Sequence, residues 1–441
     1  MIHSDQVLRV KPELVLKARV VNQVAVRRAL HYTALRMRTQ LAVCAGWVLA
    51  ACAAQAQWTP IAHPAPVTAR EFPIMAWDLS PSDSTYLNWM KDAGFNMSGF
   101  CRVEDLDKVR AAGLSCLVID KRFETMDWEK APGDAVLDEI AADLKRQAGS
   151  HPAVAGFFLR DEPSASFMPG LGRAAAALRR AMPDKWAYVN LFPTYANSRQ
   201  LGTATYEEHL RTYLKEFRPQ FISWDNYSLL DGEMQDRFYT NLEIIRRVAQ
   251  EAGLPFWNCI LGNAHYMYME PSDATLSLQV YSTLAYGGRG IQYFTFFAID
   301  SSNYRLGAVD QFGNRTPTWE MLRRINLQIH ALAPTMLQLR STGVYHSPAV
   351  PEQGKSLSES RLVKSVPGAG QILIGEFEDN RGRAYLMAVN RDLKRPVMLP
   401  IQLRRENASL VRISPYSGKE TGKVTEPVGL APGGGGLFRV E

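Results

Sequence analysis

The chain has 441 residues, enough to bury the cores of two or three domains. Its formal net charge of +6 comes from residues 1–56, which carry eight Lys or Arg and two Asp or Glu, so the remainder is formally neutral. A neutral main body gives no electrostatic reason to predict nucleic-acid binding.

The first 56 residues have the pattern of an over-extended N-terminus followed by an export signal. Residues 41–54 are apolar or small, two arginines precede them, and Ala54-Gln55-Ala56 matches an A-x-A cleavage site. The run is too short for a membrane span, and the signal is expected to start at Met37. Residues 49–52 also fit the pattern that is cleaved before a lipid-modified cysteine, here Cys52. Both alternatives, a soluble periplasmic protein and a lipoprotein, take the mature chain out of the cytoplasm.

A linker at 57–70 precedes residues 71–339, in which strand and helix patterns alternate. Helical periodicity, for example at 237–252, separates short apolar runs that are typical of buried strands. This alternation predicts a parallel sheet, and about eight units predict a (β/α)8 TIM barrel, with a doubly wound sheet as the alternative. The predicted strands are 72–78, 95–100, 114–120, 154–161, 186–192, 221–226, 255–261 and 290–297.

Residues 340–441 have a different pattern, with short apolar runs separated by Gly, Pro and Asn. The clearest strands are 371–377 and 384–390, and no strong helix is predicted. We therefore predict a C-terminal antiparallel β-sandwich domain that binds carbohydrate or serves as a packing accessory. The glycine run at 433–436 is interpreted as a turn.

Polar or aromatic residues follow nearly every predicted barrel strand. The fully apolar run 153–159 ends abruptly in Arg160, Asp161 and Glu162, and Pro163 then stops the strand. In a TIM barrel the carboxyl ends of all strands open onto the face that carries the active site. The residues predicted to contact substrate there are Trp77, Asp78, Asp120, Asp161, Asn190, Tyr227, Trp257, Asn263 and His265.

This mixture of carboxylates, amides and aromatic rings suits a sugar, which offers an apolar ring face and several hydroxyl groups. Cleavage of a glycosidic bond needs two carboxyl groups, one protonated and one ionised. Asp161 beside Glu162 is expected to raise the pKa of Glu162 and to keep that group protonated. The plainer explanation for each residue is structural, because Asp and Asn favour caps and turns and a barrel Trp is commonly core.

The segment 158–163, FLRDEP, resembles the fourth-strand acid/base motif of clan A glycoside hydrolases. The similarity is closest to the family forty-two β-galactosidase-like barrels and to related uncharacterised bacterial secreted proteins. Further similar segments are 188–191, 223–227 and 279–295 in the barrel and 386–391 in the β domain. The resemblance implies a (β/α)8 glycosidase that acts on carbohydrate without a cofactor.

By this resemblance Glu162 is the general acid/base. The family has its nucleophile, a glutamate, at the end of the seventh strand, where this chain has Leu261-Gly262-Asn263 and no acid before Glu270. Three explanations stay open. Glu270 reaches back as the nucleophile, Asp225 at the end of the sixth strand is the second carboxylate, or the second group is absent and the barrel binds glycan without cutting it.

We therefore predict a secreted glycoside hydrolase that cleaves O-glycosidic bonds of an oligo- or polysaccharide, with catalytic residues among Glu162, Asp225 and Glu270. The alternative is a non-catalytic glycan-binding surface lipoprotein on a hydrolase scaffold. A third hypothesis is a metal-assisted hydrolase using Asp78, Asp120 and Asp225; unclustered histidines and the absence of CxxC or HExxH spacing count against it. The predicted location is the periplasm or cell surface of a bacterium.

Overall fold

The structure, a computed structural model, describes residues 71–301 and 303–441. The predicted export signal, the linker and the lipid-anchor candidate Cys52 lie outside these residues. Within them, no helix combines the length and the apolar character that a bilayer crossing requires.

Eight parallel strands form the sheet of the N-terminal part. Their order is β5-β4-β3-β2-β1-β8-β7-β6, and a parallel bridge between Leu191 and Trp224 joins the two outer strands, β5 and β6. The predicted TIM barrel is therefore confirmed, and a doubly wound sheet is not what the chain forms. The strands are β1 Ile74–Ala76, β2 Met97–Cys101, β3 Ser115–Val118, β4 Val154–Asp161, β5 Trp186–Asn190, β6 Ile222–Asp225, β7 Phe256–Leu261 and β8 Gly290–Phe294.

Helices follow the strands and form the second layer of the barrel. Several begin at the caps that the sequence supplies; for example, Thr205 and Glu208 form a capping box at the start of α7. The apolar helix faces share one large core with the outward residues of the strands. The helices are α1 Ser84–Asp92, α2 Leu106–Ala111, α3 Lys121–Glu124, α4 Asp134–Leu144, α5 Met168–Ala181, α6 Ser198–Leu201, α7 Tyr206–Phe217, α8 Arg237–Ala252, α9 Asp273–Ala285 and α10 Pro317–Met336.

A second sheet follows α10. Its main strands are antiparallel and pair in the order β9-β10-β11-β14-β12-β13, and the short strand Lys355–Ser356 pairs in parallel with β9 at one edge. Two short ribbons cover one face and enclose a separate apolar core, so the predicted C-terminal β-sandwich is confirmed. The strands are β9 Leu339–Ser347, β10 Ile372–Asp379, β11 Ala384–Asn390, β12 Leu410–Ile413, β13 Glu420–Lys423 and β14 Gly435–Val440.

The other face of this sheet packs against α9 of the barrel. Gly375 in β10 lies very close to the helix, because a Cβ atom built there would lie 2.2 Å from the carbonyl oxygen of Ala285 at the end of α9. The backbone of β10 therefore packs directly against the backbone of α9. This packing requires a residue without a side chain at position 375.

Replacing Gly375 with Ala is expected to lower the free energy of unfolding by about 3 kcal/mol, since neither backbone can yield without separating the two layers. Gly370 is the matched control, because a Cβ atom there meets nothing within 4 Å and its φ is not positive. Gly370→Ala should be neutral or stabilising by less than about 1 kcal/mol. Urea denaturation of both variants checks this. Equal stabilities would contradict the close seating of β10 on α9.

Candidate active site

Three of the predicted site residues meet at the carboxyl ends of neighbouring strands. Asp161 ends β4, Asn190 ends β5 and Asp225 ends β6. The side-chain Nδ2 of Asn190 donates to Oδ1 of Asp161 at 3.2 Å and to Oδ1 of Asp225 at 3.4 Å. The two carboxylate oxygens therefore lie within about 6.6 Å of each other, the sum of the two bond lengths.

Glu162 follows directly at the tip of β4. Its φ of +42° is in the left-handed region, which a residue with a side chain adopts only at a cost. The backbone N–H of Glu162 donates to the carbonyl oxygen of Asn190 at 2.8 Å. The chain therefore leaves the sheet at this residue, while the strand-to-strand bond still fixes it beside β5.

The pKa of each of the three carboxyl groups is raised, in every case chiefly by burial. Burial and the neighbouring Asp161 raise the pKa of Glu162 to about 7. Burial raises that of Asp161 to about 6, although hydrogen bonding from Asn190 and the charge of Arg160 oppose the shift. Asp225 is the most deeply buried, and burial together with the charges of Glu162 and Asp161 keeps its pKa well above the ordinary value. The carboxyl group of Glu162 is therefore partly protonated near neutral pH.

The pKa of Glu162, raised by burial and by Asp161, predicts that Glu162→Gln stabilises the fold at about pH 8 and not at about pH 4. The pKa of Glu162 is about 7 in the folded protein and about 4.3 in the unfolded chain. The contribution of Glu162 to folding stability is therefore complete below about pH 4.3 and is lost as pH rises through 7. Glutamine carries no charge and avoids this loss. Thermal denaturation of both proteins at the two pH values measures the difference, with the exposed Glu270→Gln as control. A Tm difference that does not change with pH would contradict it.

A buried polar chain beneath the carboxyl groups fixes the orientation of Asn190. Ser223 Oγ donates to Asn190 Oδ1 at 2.9 Å, and the amide of Gln292 donates to Ser223 Oγ at 3.0 Å. Tyr188 Oη donates to Gln292 Oε1 at 2.7 Å. Because Oδ1 of Asn190 is occupied by Ser223, its NH2 group faces the two aspartates. Our sequence interpretation missed this chain; its only signal is polar side chains inside otherwise apolar strands.

Aromatic rings line the adjoining part of the mouth, and Phe294 at the end of β8 connects them. The ring of Tyr227 stacks on Phe294 at 5.4 Å, and Trp77 contacts Phe294 at 5.8 Å between centroids. His265 lies 5.5 Å from Phe294 and stacks on Tyr304 at 4.7 Å. The structure therefore brings the predicted residues Trp77, Tyr227 and His265 together. Phe294 and Tyr304, which join them, were not predicted.

His265 is held as a neutral base. Burial and nearby Arg305 lower its pKa to about 4. Its Nδ1 lies 3.0 Å from Oδ1 of Asn263, whose amide donates to Thr295 Oγ1 at 2.6 Å, so Nδ1 carries the proton. Asp78, another predicted residue, lies on this side of the mouth, and its carboxylate accepts hydrogen bonds from the backbone N–H groups of Leu79 and Phe297. Burial raises the pKa of Asp78 to about 7.

Other predicted residues are placed apart from the three carboxyl groups. Trp257 has no accessible surface and stacks on Phe221 at 4.0 Å inside the barrel, so it does not contact a substrate at the mouth. Its place is explained by its position near the amino end of β7. Asp120 caps α3 and holds Arg122 at 2.8 Å. Glu270 is 60 % exposed and pairs with Arg305 at 3.1 Å.

The metal hypothesis receives no support from this geometry. In the part of the chain that the structure describes, no group of three or more His, Cys, Asp or Glu side chains could hold a metal ion. Asp78, Asp120 and Asp225 each have the separate partners given above.

Comparison with solved structures agrees with this architecture. A glycoside hydrolase family 5 protein from Bacteroides vulgatus matches at TM-score 0.51 and 12 % identity, over 84 % of this chain and 89 % of that one. The cold-adapted β-galactosidase from Rahnella sp. R3 matches at TM-score 0.52 and 9 % identity, over 86 % and 99 %. The chain shares its (β/α)8-barrel fold with these two glycosidases. Family forty-two is not singled out among such folds.

A third similar structure is more distant. The chain spans 63 % of the β-galactosidase from the psychrophilic Marinomonas ef1, at TM-score 0.44 and 11 % identity. No protein-family model matches the chain, and no curated protein does so significantly. At these identities the likeness concerns the fold, and the chemistry must be argued from the carboxyl groups themselves.

Proposed function

We propose that this protein hydrolyses O-glycosidic bonds, with Glu162 as proton donor and Asp225 as the second carboxyl group. The observation that carries the proposal is the group of three carboxyls at the barrel mouth, in which Glu162 has a pKa of about 7. A proton donor with a pKa near the working pH is what glycoside cleavage needs. Glu270 is left out because its described partner is Arg305 on the exposed surface.

In the proposed reaction Glu162 gives its proton to the glycosidic oxygen as the bond to the anomeric carbon breaks. In this step Asp225 is the ionised carboxylate, and it stabilises the positive charge that develops on the sugar ring. If the two carboxyl groups are about 5 Å apart, the carboxylate attacks the anomeric carbon, and a water that gives its proton to Glu162 then releases the sugar; at about 6.5–9.5 Å the carboxylate instead takes a proton from the water that attacks the anomeric carbon. Asn190 positions Asp225, and Trp77, Tyr227 and His265 are the proposed sugar contacts.

The test is a glycan and aryl-glycoside panel, with the anomer of the first product identified by NMR. We expect product from the wild-type chain and none above background from the Glu162→Gln/Asp225→Asn double variant. Saturable sugar binding without product on any substrate would instead favour the alternative function, a glycan-binding protein on a hydrolase scaffold. Export to the periplasm or cell surface, with or without a lipid at Cys52, is part of the proposal and is tested by fractionating cells.

A further inference from the structure

A second cleft lies away from the barrel mouth, between helices α9 and α10 and the C-terminal sheet. Its volume is about 420 Å³. Small-molecule sites in proteins occupy roughly 300–1,000 Å³. The lining residues used below are Tyr281, Gln328, Arg412, Ser414, Tyr416 and Gly435.

Glycine residues determine the shape of this cleft. The run 433–436, interpreted from sequence as a turn, opens β14, and a Cβ atom at Gly435 would lie 2.5 Å from the ring of Tyr281. Gly433 has φ +65°, and a Cβ atom there would lie 2.0 Å from the carbonyl oxygen of Ala274 in α9. Gly434 and Gly435 of this run therefore form a floor of bare backbone in the cleft.

The loop between β12 and β13 forms the opposite wall. Gly418 has φ +68° and lies so close to α10 that a Cβ atom would be 2.2 Å from the carbonyl oxygen of Ala331. The backbone N–H of Ser414 donates to the carbonyl oxygen of Lys419 at 2.9 Å, and the backbone N–H of Gly418 donates to the carbonyl oxygen of Ser414 at 2.8 Å. These two bonds close the loop. Tyr416 at its tip is 84 % exposed. The loop is thus anchored while its aromatic ring is presented to solvent.

Two hydrogen-bond donors in the cleft, on Gln328 and Arg412, have no side-chain partner among the described residues. Tyr281 Oη donates to Oε1 of Gln328 at 2.7 Å, which fixes that amide with its NH2 group unpaired within the described residues. Arg412 lines the cleft, and no carboxylate of the described chain lies within 4.0 Å of its guanidinium. A ligand with several oxygen acceptors and an apolar ring face would satisfy both donors and cover Tyr416.

We propose that this cleft binds a saccharide chain, whose pyranose ring stacks on Tyr416 while its oxygens accept from Arg412 and Gln328. The shared chemistry is a hydroxyl-bearing pyranose, either neutral or with a carboxylate opposite Arg412. This goes beyond the hydrolysis proposed for the barrel mouth, and the two sites do not depend on each other.

Affinity electrophoresis of the full chain through gels containing polysaccharide tests the cleft. Neutral gels contain galactan, xylan or laminarin, and acidic gels contain polygalacturonate or alginate. The Glu162→Gln chain is used so that no polymer is consumed. We expect retardation in at least one gel, and Tyr416→Ala to weaken it about three- to tenfold. Arg412→Gln should weaken binding more strongly in acidic than in neutral gels.

The controls are Val136→Ala and Arg110→Gln, both exposed on barrel helices α4 and α2 and outside the cleft. They should leave retardation unchanged. No retardation in any gel, or retardation that survives both cleft substitutions, would overturn the proposal. Hydrolysis of short aryl glycosides should be unaffected by Tyr416→Ala. Binding that depends on the cleft residues, without hydrolysis of any substrate, would contradict the proposed glycosidase activity and support the proposed saccharide site in the cleft.

Discussion

Glu162→Gln is expected to lower kcat/KM on an alkyl glycoside by roughly 10²–10⁴-fold and on the corresponding dinitrophenyl glycoside by far less. An alkoxide leaving group must be protonated as it departs, whereas dinitrophenolate leaves without a proton. Glutamine is nearly isosteric and cannot donate an acidic proton, so the loss should follow the basicity of the leaving group. Steady-state kinetics on a series of aryl and alkyl glycosides measures this slope.

The pH dependence supplies a second readout for the same residue. Because the pKa of Glu162 is raised to about 7, the protonated donor is lost above about pH 7, and kcat/KM should fall tenfold per pH unit there. This basic limb should be absent from the Gln variant. Glu270→Gln is the matched control and should keep both the rate and the limb. An equal loss on every leaving group would mean that Glu162 acts through structure and is not the proton donor.

Much of the barrel could be predicted because its strands are buried on both faces. The predicted strand 154–161 coincides with β4, Val154–Asp161. The last barrel strand was predicted to extend to residue 297, but β8 ends at Phe294. The apolar run continues because Phe296 is fully buried against Phe95 after leaving the sheet. A hydrophobic pattern indicates that a residue is buried, and it does not show whether that residue belongs to a strand.

The site was predictable where residues stand at strand ends, as Asp161, Asn190 and Asp225 do. It was not predictable where a distant side chain decides the outcome. Glu270 pairs with Arg305, which lies 35 positions away, and no local pattern indicates that pair. Trp257 is a different case, since a residue near the start of a strand belongs to the closed end of the barrel. The place of Trp257 near the start of the predicted strand 255–261 already indicated this.

Buried Arg391 joins the barrel to the C-terminal domain. Arg391, which follows β11, stacks over the ring of Tyr239 in α8 at 4.2 Å and donates to Asp236, just before that helix, at 3.1 Å. Its Nη1 also donates to Nδ1 of His346 in β9 at 3.1 Å. Burial and the charge of Arg391 hold the pKa of His346 well below its usual range, so the ring is neutral. Its Nε2 then donates to Tyr286 at 2.8 Å.

Arg391→Met should therefore lower the free energy of unfolding by about 2–4 kcal/mol, because Met keeps the apolar stem but leaves buried His346 without its donor. Arg180→Met is the matched control. That arginine pairs with Asp138 at 2.6 Å, both side chains are at least half exposed, and its loss should cost less than about 1 kcal/mol. Urea denaturation followed by circular dichroism compares the two. Similar small losses of unfolding free energy in both variants would show that Tyr239 and His346 pack equally well without the guanidinium. The domains would then be held together by apolar contact and by the close approach at Gly375.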